Sequence, residues 1–246
     1  MDNSKKFDGR SAVYSVARPH YAEQLFEMLS TEYGFCGKPI ADIGSGTGLF
    51  TEGLLKYGNT VYAVEPNDEM RLCAEEYLGR YSSFVSVRGD ASHTGLKSSS
   101  VYAVTAAQAF HWFEPTSFRE ECERIMYGKY IVLAYNLRAE APIHDAVKAV
   151  NRALCPSFKG FQGGITTERI SDFFDGRYEL KVFCNDMEMD EDTFVKRNLS
   201  SSYAPKVGEQ NYERYVSEIK NIFARYSSGG VLKYPQVSKA YIGTIR

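Results

Sequence analysis

The stretch ADIGSGTGLF, residues 41–50, carries three glycines at alternate positions, Gly44, Gly46 and Gly48, after an apolar lead-in. Glycine lets a backbone turn tightly or come close to a ligand. The apolar run at residues 39–44 predicts a buried strand, and an amphipathic helix is predicted directly after the glycines. Because the first N–H groups of a helix lack partners within it, this loop is predicted to face a bound ligand.

Apolar runs alternate with amphipathic stretches through the first half of the chain, which is typical of β-α-β units in a parallel sheet. Strands are predicted at residues 39–44, 60–65, 84–89, 101–107 and 130–135. Helices are predicted at residues 47–58, 67–81 and 115–128. The less regular second half predicts helices at 141–154, 166–175, 191–201 and 209–227 and strands at 178–187 and 231–243. Right-handed crossovers would place the early strand ends along one edge, where open sheets bind ligands.

Composition favours one cytoplasmic domain. The 246 residues contain 29 Lys and Arg against 31 Asp and Glu, so no general charge attracts nucleic acid. No stretch has the apolar length of a membrane span. The five cysteines are scattered without C-x-x-C or Cys/His spacing, and the four histidines form no ligand pattern, so we expect reduced thiols and no metal.

Acidic side chains follow the next two predicted strands. Glu65 comes 21 positions after Gly44 (65 − 44), and a carboxylate there can accept both hydroxyls of a ribose. Asp90 ends the third strand, and the fourth runs into AAQAFHWF, residues 106–113. A dinucleotide fingerprint G-x-G-x-x-G would need glycine where Leu49 stands, which disfavours a nicotinamide dehydrogenase.

The run from Asp42 to Gly48, acidic-x-Gly-x-Gly-x-Gly, resembles the first motif of class I S-adenosylmethionine-dependent methyltransferases. The resemblance implies their Rossmann-like, doubly wound, mostly parallel seven-stranded sheet. It is clearest over residues 35–135 and is similar to small-molecule enzymes of the trans-aconitate and ubiquinone/menaquinone-biosynthesis type. It implies a single domain over residues 1–246, with an N-terminal helical lid (1–34), a cofactor-binding half (35–137) and a substrate-side half (138–246).

The resemblance also assigns roles to residues. The cofactor S-adenosylmethionine, whose product is S-adenosylhomocysteine, would be held by Asp42, Gly44, Ser45, Gly46, Thr47, Gly48, Glu65, Pro66, Asp90, Ala91, Gln108, Tyr14 and Arg18. The substrate would meet Trp112, Phe110 and Tyr21. These aromatic side chains could instead pack the edge of the sheet.

The predicted activity is transfer of a methyl group to a small-molecule acceptor through an oxygen, carbon or nitrogen atom, a carboxylate included. His111 is the candidate general base, and a structural role for it stays open. The alternative is a non-catalytic module that binds S-adenosylmethionine and regulates a partner. The pattern favours no particular oligomeric state.

Overall fold

The computed structural model describes residues 20–161 and 165–245. Its strands are β1 (Pro39–Ile43), β2 (Thr60–Val64), β3 (Phe84–Val87), β4 (Ala103–Ala107), β5 (Ile131–Arg138), β6 (Tyr178–Cys184), β7 (Met187–Met189), β8 (Leu232–Tyr234) and β9 (Gln236–Gly243). Its α-helices are α1 (Glu23–Thr31), α2 (Leu49–Lys56), α3 (Asp68–Leu78), α4 (Pro115–Ile125), α5 (Pro142–Leu154), α6 (Thr167–Phe173), α7 (Glu191–Leu199) and α8 (Tyr212–Tyr226).

Seven strands form one sheet in the order β3-β2-β1-β4-β5-β9-β6. The pairs β1/β2, β2/β3, β1/β4 and β4/β5 are parallel. The strand order reverses direction beside β1, which is the position where doubly wound sheets open a crevice for ligands. The predicted Rossmann-like, mostly parallel seven-stranded sheet is confirmed.

Two predicted strands of the second half are each divided into two. The segment predicted at 231–243 becomes β8 and β9, with Pro235 between them. Proline has no N–H to continue a ladder, and the Pro235 carbonyl accepts hydrogen bonds from the Ala139 amide and the His144 ring. The segment predicted at 178–187 similarly becomes β6 and β7, and β7 pairs antiparallel with β8 in a separate two-stranded sheet.

Capped helix starts lie at the carboxyl edge of the sheet. Asn67 accepts a hydrogen bond from the Met70 amide at 2.9 Å, which caps α3. The Glu114 carboxylate accepts from the Thr116 and Ser117 amides at the start of α4. Both caps supply acceptors to N–H groups that a helix leaves unpaired, so these helices begin where the strands end.

Helix α1 packs on α2 because α2 carries a glycine at the contact. A Cβ on Gly53 would overlap the ring of Phe26 from α1. The Phe26 ring also lies 5.0 Å from Phe50 and 6.5 Å from Tyr57, measured between ring centroids. The missing side chain therefore lets an aromatic ring seat directly on the helix that starts at the glycine loop.

Within the described ranges the chain forms two compact units. The first contains residues 20–136, 165–183 and 238–245, and the second contains residues 137–161 and 184–237. Each unit has its own buried apolar cluster. The predicted single domain and its three parts stay a prediction, and residues 1–19 of the predicted lid lie outside the described residues.

Candidate functional site

The glycine loop joins β1 to α2 in a left-handed backbone conformation. The φ angles of Gly44, Gly46 and Gly48 are 68°, 58° and 88°. Residues other than glycine rarely adopt this region. The Gly44 amide donates to the Val64 carbonyl oxygen at 2.8 Å, and the Ser45 amide donates to the same oxygen at 3.2 Å. The loop is therefore anchored to the end of β2.

The three glycines meet different surroundings. A Cβ on Gly44 would lie 2.7 Å from the Ala109 Cβ, and one on Gly48 would lie 2.6 Å from Leu78 Cδ1. These two glycines permit close packing against protein. A Cβ on Gly46 would come no closer than 3.9 Å, to the Met70 sulfur. Gly46 is therefore the glycine beside which the described residues leave room for a ligand.

Ser45 adds an unsatisfied polar group at the loop. Its Oγ is buried and has no hydrogen-bond partner in the part of the chain that the structure describes. Buried hydroxyls in folded proteins are nearly always paired. The neighbouring Thr47 side chain is buried as well. A polar ligand lying along the loop would give the Ser45 hydroxyl its missing partner.

Asp42 lies beneath the loop and is fully buried. Its carboxylate accepts hydrogen bonds from the hydroxyls of Thr51 at 2.6 Å and Thr105 at 2.8 Å. Burial raises the pKa of Asp42 to about 6, and the two threonine bonds lower it in part. The carboxylate thus ties β1 to α2 and β4, and its predicted contact with a cofactor stays a prediction.

We predict that Asp42→Asn stabilises the fold at neutral pH and that the gain disappears in acid. A carboxyl whose pKa is higher in the folded than in the unfolded state binds more protons when folded between pH 4 and 6, so the free energy of unfolding falls as pH rises through that window. This cost is about 3 kcal/mol above pH 6. Asparagine can accept from one threonine hydroxyl and donate to the other.

Urea unfolding of both proteins at pH 4.5 and pH 7.5 measures the effect. We expect Asp42→Asn to be more stable than wild type by about 3 kcal/mol at pH 7.5 and by only about 1 kcal/mol at pH 4.5. A variant that is less stable at pH 7.5 would show that the ionised carboxylate contributes net stability.

Glu65 connects the end of β2 to the glycine loop. One carboxylate oxygen accepts from the Gly46 amide and the other from the Asn67 amide, both at 2.9 Å. Burial raises the pKa of Glu65, although both amide bonds and the charge of Arg71 lower it in part. Each carboxylate oxygen keeps acceptor capacity beyond its one amide bond. Glu65 can therefore brace the loop and accept from ribose hydroxyls together.

Asp90 follows β3 on an exposed turn. Its carboxylate accepts from the Ser92 amide and hydroxyl and from the His93 amide. Partial burial raises the pKa of Asp90, but these hydrogen bonds together lower it by more than burial raises it. The pKa of Asp90 therefore lies below its usual range. The turn keeps an ionised acceptor at the third strand end, with Ala91 beside it.

The segment after β4, residues 108–113, holds the remaining predicted side chains. Gln108 has a φ of 54° and donates from Nε2 to the Asn136 carbonyl oxygen at 2.9 Å. Phe110 is fully buried, and its ring centroid lies 4.7 Å from that of Phe173. Trp112 is 42% exposed and is therefore open to a ligand. The His111 ring lies 4.7 Å from the Trp112 ring.

The remaining predicted site residues are Pro66, Tyr21, Tyr14 and Arg18. Pro66 is exposed beside Glu65, and the Tyr21 ring packs edge-on against Phe50 at 4.9 Å. Tyr14 and Arg18 lie outside the described residues. The structure thus brings the residues from Asp42 to Gly48 together with Glu65, and their roles toward a ligand stay predictions.

Sequence reasoning missed Asn136, which organises the same edge. Its side-chain amide donates to the His20 carbonyl at 3.2 Å, and its side-chain oxygen accepts from the Ser238 hydroxyl at 2.6 Å. The Ser238 hydroxyl also accepts from the Ala22 amide at 2.9 Å. No local pattern marks Asn136, because its partners lie far away in the chain.

In the ranges 20–161 and 165–245, no group of three or more His, Cys, Asp or Glu side chains could hold a metal ion. None of the helices within those ranges is long and apolar enough to cross a membrane.

Comparison with known proteins finds matches to part of the chain. Residues 41–129, which include the glycine loop, Glu65, Asp90 and the segment 108–113, match the family model described as a methyltransferase domain. An uncharacterised methyltransferase of Mycobacterium tuberculosis is 31% identical over 140 residues, which are 56% of this chain and 55% of that protein. A provisionally named methyltransferase of Dictyostelium discoideum is 32% identical over 144 residues, 57% of this chain and 53% of the other. The chain spans about half the length of these curated relatives.

Solved structures share the fold. A protein of Anaeromyxobacter dehalogenans, provisionally named a type II methyltransferase, superposes with a TM-score of 0.69 at 21% identity, covering 93% of this chain and 98% of that one. An S-adenosylmethionine-dependent methyltransferase of Aquifex aeolicus gives 0.50 at 21% identity, covering 72% and 91%. The chain therefore has the Rossmann-like class I methyltransferase fold, and residues 41–129 match the methyltransferase-domain family model.

Proposed function

We propose that this protein transfers a methyl group from S-adenosylmethionine to a small-molecule acceptor in the cytoplasm. The observation that carries the proposal is the contact between the glycine loop and Glu65. Gly46 borders open space, and its amide donates a hydrogen bond to the Glu65 carboxylate. The unsatisfied Ser45 hydroxyl supports a polar ligand at the same place. The match to methyltransferases over these residues points to S-adenosylmethionine as that ligand.

The residues present fit this cofactor. Glu65 would accept from the ribose hydroxyls, Asp90 would accept from the exocyclic amine of adenine, and the loop from Ser45 to Gly48 would lie along the methionine part. When bound, S-adenosylmethionine supplies an electrophilic methyl group on a positively charged sulfur. Since that sulfur is a good leaving group, the protein mainly aligns the acceptor and excludes water. The segment 108–113 is the proposed acceptor side, with Trp112 open to it.

The acceptor class is the finer part of the proposal. The N-terminal sequence FDGRSAVYSVARPHY, residues 7–21, is similar to that of the trans-aconitate and ubiquinone/menaquinone-biosynthesis type. The near balance of positive and negative charge also favours a small molecule over nucleic acid. Five cysteines without a disulfide favour a reducing compartment.

The test is transfer of a labelled methyl group from S-adenosylmethionine to components of a small-molecule extract. We expect label in at least one small product and binding of S-adenosylhomocysteine in the micromolar range. Cofactor binding without any transfer would favour the regulatory module instead, and no binding would overturn the proposal.

For an acceptor that must lose a proton, we predict that His111→Ala lowers kcat by about 10²-fold or more, because general bases contribute about that much. S-adenosylhomocysteine affinity should change less than twofold. Steady-state kinetics across pH 5.5–9 with the identified acceptor measures this, and wild type should lose rate toward acid pH in a way that the variant does not. Full turnover by His111→Ala would assign the ring a structural role.

A further inference from the structure

Arg169 is a half-buried cation beside the segment 108–113. One terminal nitrogen donates to the Phe113 carbonyl oxygen at 2.6 Å. The guanidinium carbon lies 5.4 Å from the centroid of the Phe110 ring. These two contacts hold the guanidinium in one position. Its Nε is buried and has no hydrogen-bond partner within the described ranges.

Arg169 also has no carboxylate partner among the residues that the structure describes, in contrast to other arginines of the same unit. Arg119 pairs with Asp175 at 2.8 Å, and Arg124 pairs with Glu121 at 2.7 Å. A guanidinium withdrawn from water without a counter-charge is costly, and buried charges are normally paired. The position therefore has an unsatisfied donor and an unbalanced positive charge.

The neighbours of Arg169 connect it to the glycine loop. A Cβ on Gly44 would lie 3.1 Å from the Phe113 ring, so the residue whose carbonyl Arg169 binds packs against the loop. Tyr135 is fully buried, and burial raises its pKa, which the His111 backbone and the nearby Arg169 charge lower in part. Arg169 thus lies among aromatic side chains next to the segment proposed for the acceptor.

We propose that Arg169 binds a carboxylate of the methyl acceptor, so that the substrate is a small carboxylic acid with an apolar body. The proposal rests on the proposed function. The Nε–H and the N–H groups not bound to Phe113 can donate to an anion, and guanidinium groups suit carboxylates because two parallel N–H bonds fit two oxygens. Trp112, which is 42% exposed in the neighbouring segment 108–113, offers apolar surface to the remainder of the molecule.

The bound carboxylate is an anchor rather than the methylated atom. Charge-assisted hydrogen bonds stabilise the anion and draw on its lone pairs, so it becomes a weaker nucleophile. The atom that receives the methyl group then lies elsewhere on the acid, at a distance fixed by the anchor. This arrangement makes Arg169 a specificity-determining residue.

Trp112 provides the readout, since it is the one tryptophan of the sequence and lies in the segment 108–113. Protein saturated with S-adenosylhomocysteine is titrated with phenylacetate and, separately, with the neutral phenylacetamide, following Trp112 fluorescence. We expect saturable binding of phenylacetate at least tenfold tighter than that of the amide. In Arg169→Gln the difference should fall below twofold, while S-adenosylhomocysteine affinity and melting temperature stay near wild type.

Two further variants control the result. Arg169→Lys keeps the charge but not the planar fork, and we expect an intermediate preference for the acid. Arg177→Gln removes an exposed arginine of the same unit, and the preference should remain. Equal binding of acid and amide, no saturable response to either, or an unchanged preference in Arg169→Gln would overturn the inference alone. Wild-type protein that does not bind S-adenosylhomocysteine would overturn the proposed function as well.

Discussion

Replacing Glu65 with alanine is expected to weaken S-adenosylhomocysteine binding at least 100-fold, about 2.7 kcal/mol at 25 °C. Two losses add in this variant. The ribose hydroxyls lose their acceptor, and the amides of Gly46 and Asn67 lose the carboxylate that holds them at 2.9 Å. A buried N–H left without a partner costs about 1–3 kcal/mol, so the loop should also become less ordered.

Isothermal titration calorimetry measures the affinity, and circular dichroism confirms the fold. Glu65→Gln should lie between wild type and alanine, because its amide oxygen can accept from one backbone N–H while its NH2 group cannot accept from the other. Glu76→Ala removes an exposed carboxylate from the neighbouring helix α3 and should bind like wild type. Affinity within threefold of wild type in Glu65→Ala would show that the carboxylate only supports the loop.

Gly53→Ala should destabilise the fold strongly, lowering the free energy of unfolding by about 2–3 kcal/mol. Helix propensity alone predicts the opposite, since alanine in a helix interior is favoured over glycine by about 1 kcal/mol. The added methyl group would overlap the Phe26 ring, which must then move away from its contacts with Phe50 and Tyr57. Overpacking therefore outweighs propensity at this position.

Denaturant unfolding of a double-mutant cycle tests the cause. If the Phe26 ring is the obstacle, Phe26→Leu combined with Gly53→Ala should be more stable than the sum of the two single changes predicts. A stabilised Gly53→Ala protein would mean that α1 adjusts freely. A destabilised protein with no coupling to Phe26 would place the strain elsewhere in the helix.

Much of the first half was predictable because its signals are local. The Asn67 cap and Pro115 at the start of α4 each act within a few residues of chain, and Glu65 meets the Gly46 amide across only 19 positions. The periodicity of apolar residues in the first half predicts the alternation of strands and helices. Parallel order then follows from the handedness of crossovers, so the sequence alone predicts that the carboxyl ends of the strands lie along one edge.

The rest depends on partners that sequence order does not reveal. Asp42 has the position of a cofactor ligand, yet its oxygens bind Thr51 and Thr105, which are 9 and 63 positions away. Arg169 belongs to no motif and meets Phe113 only after the chain has crossed 56 positions. The division into two units likewise arises from contacts between distant segments.

The hydrogen bonds of Asn136 set an order of assembly during synthesis. The Asn136 side chain can accept from the Ser238 hydroxyl only after another 102 residues have been synthesised. The Ala22 amide donates to the same hydroxyl, which lies 216 positions later in the chain. A ribosome has completed the glycine loop, Glu65 and Asp90 long before that serine emerges. The segment at His20–Ala22 precedes the glycine loop in the chain, yet its hydrogen bond to Ser238 can form only after strand β9 has been synthesised.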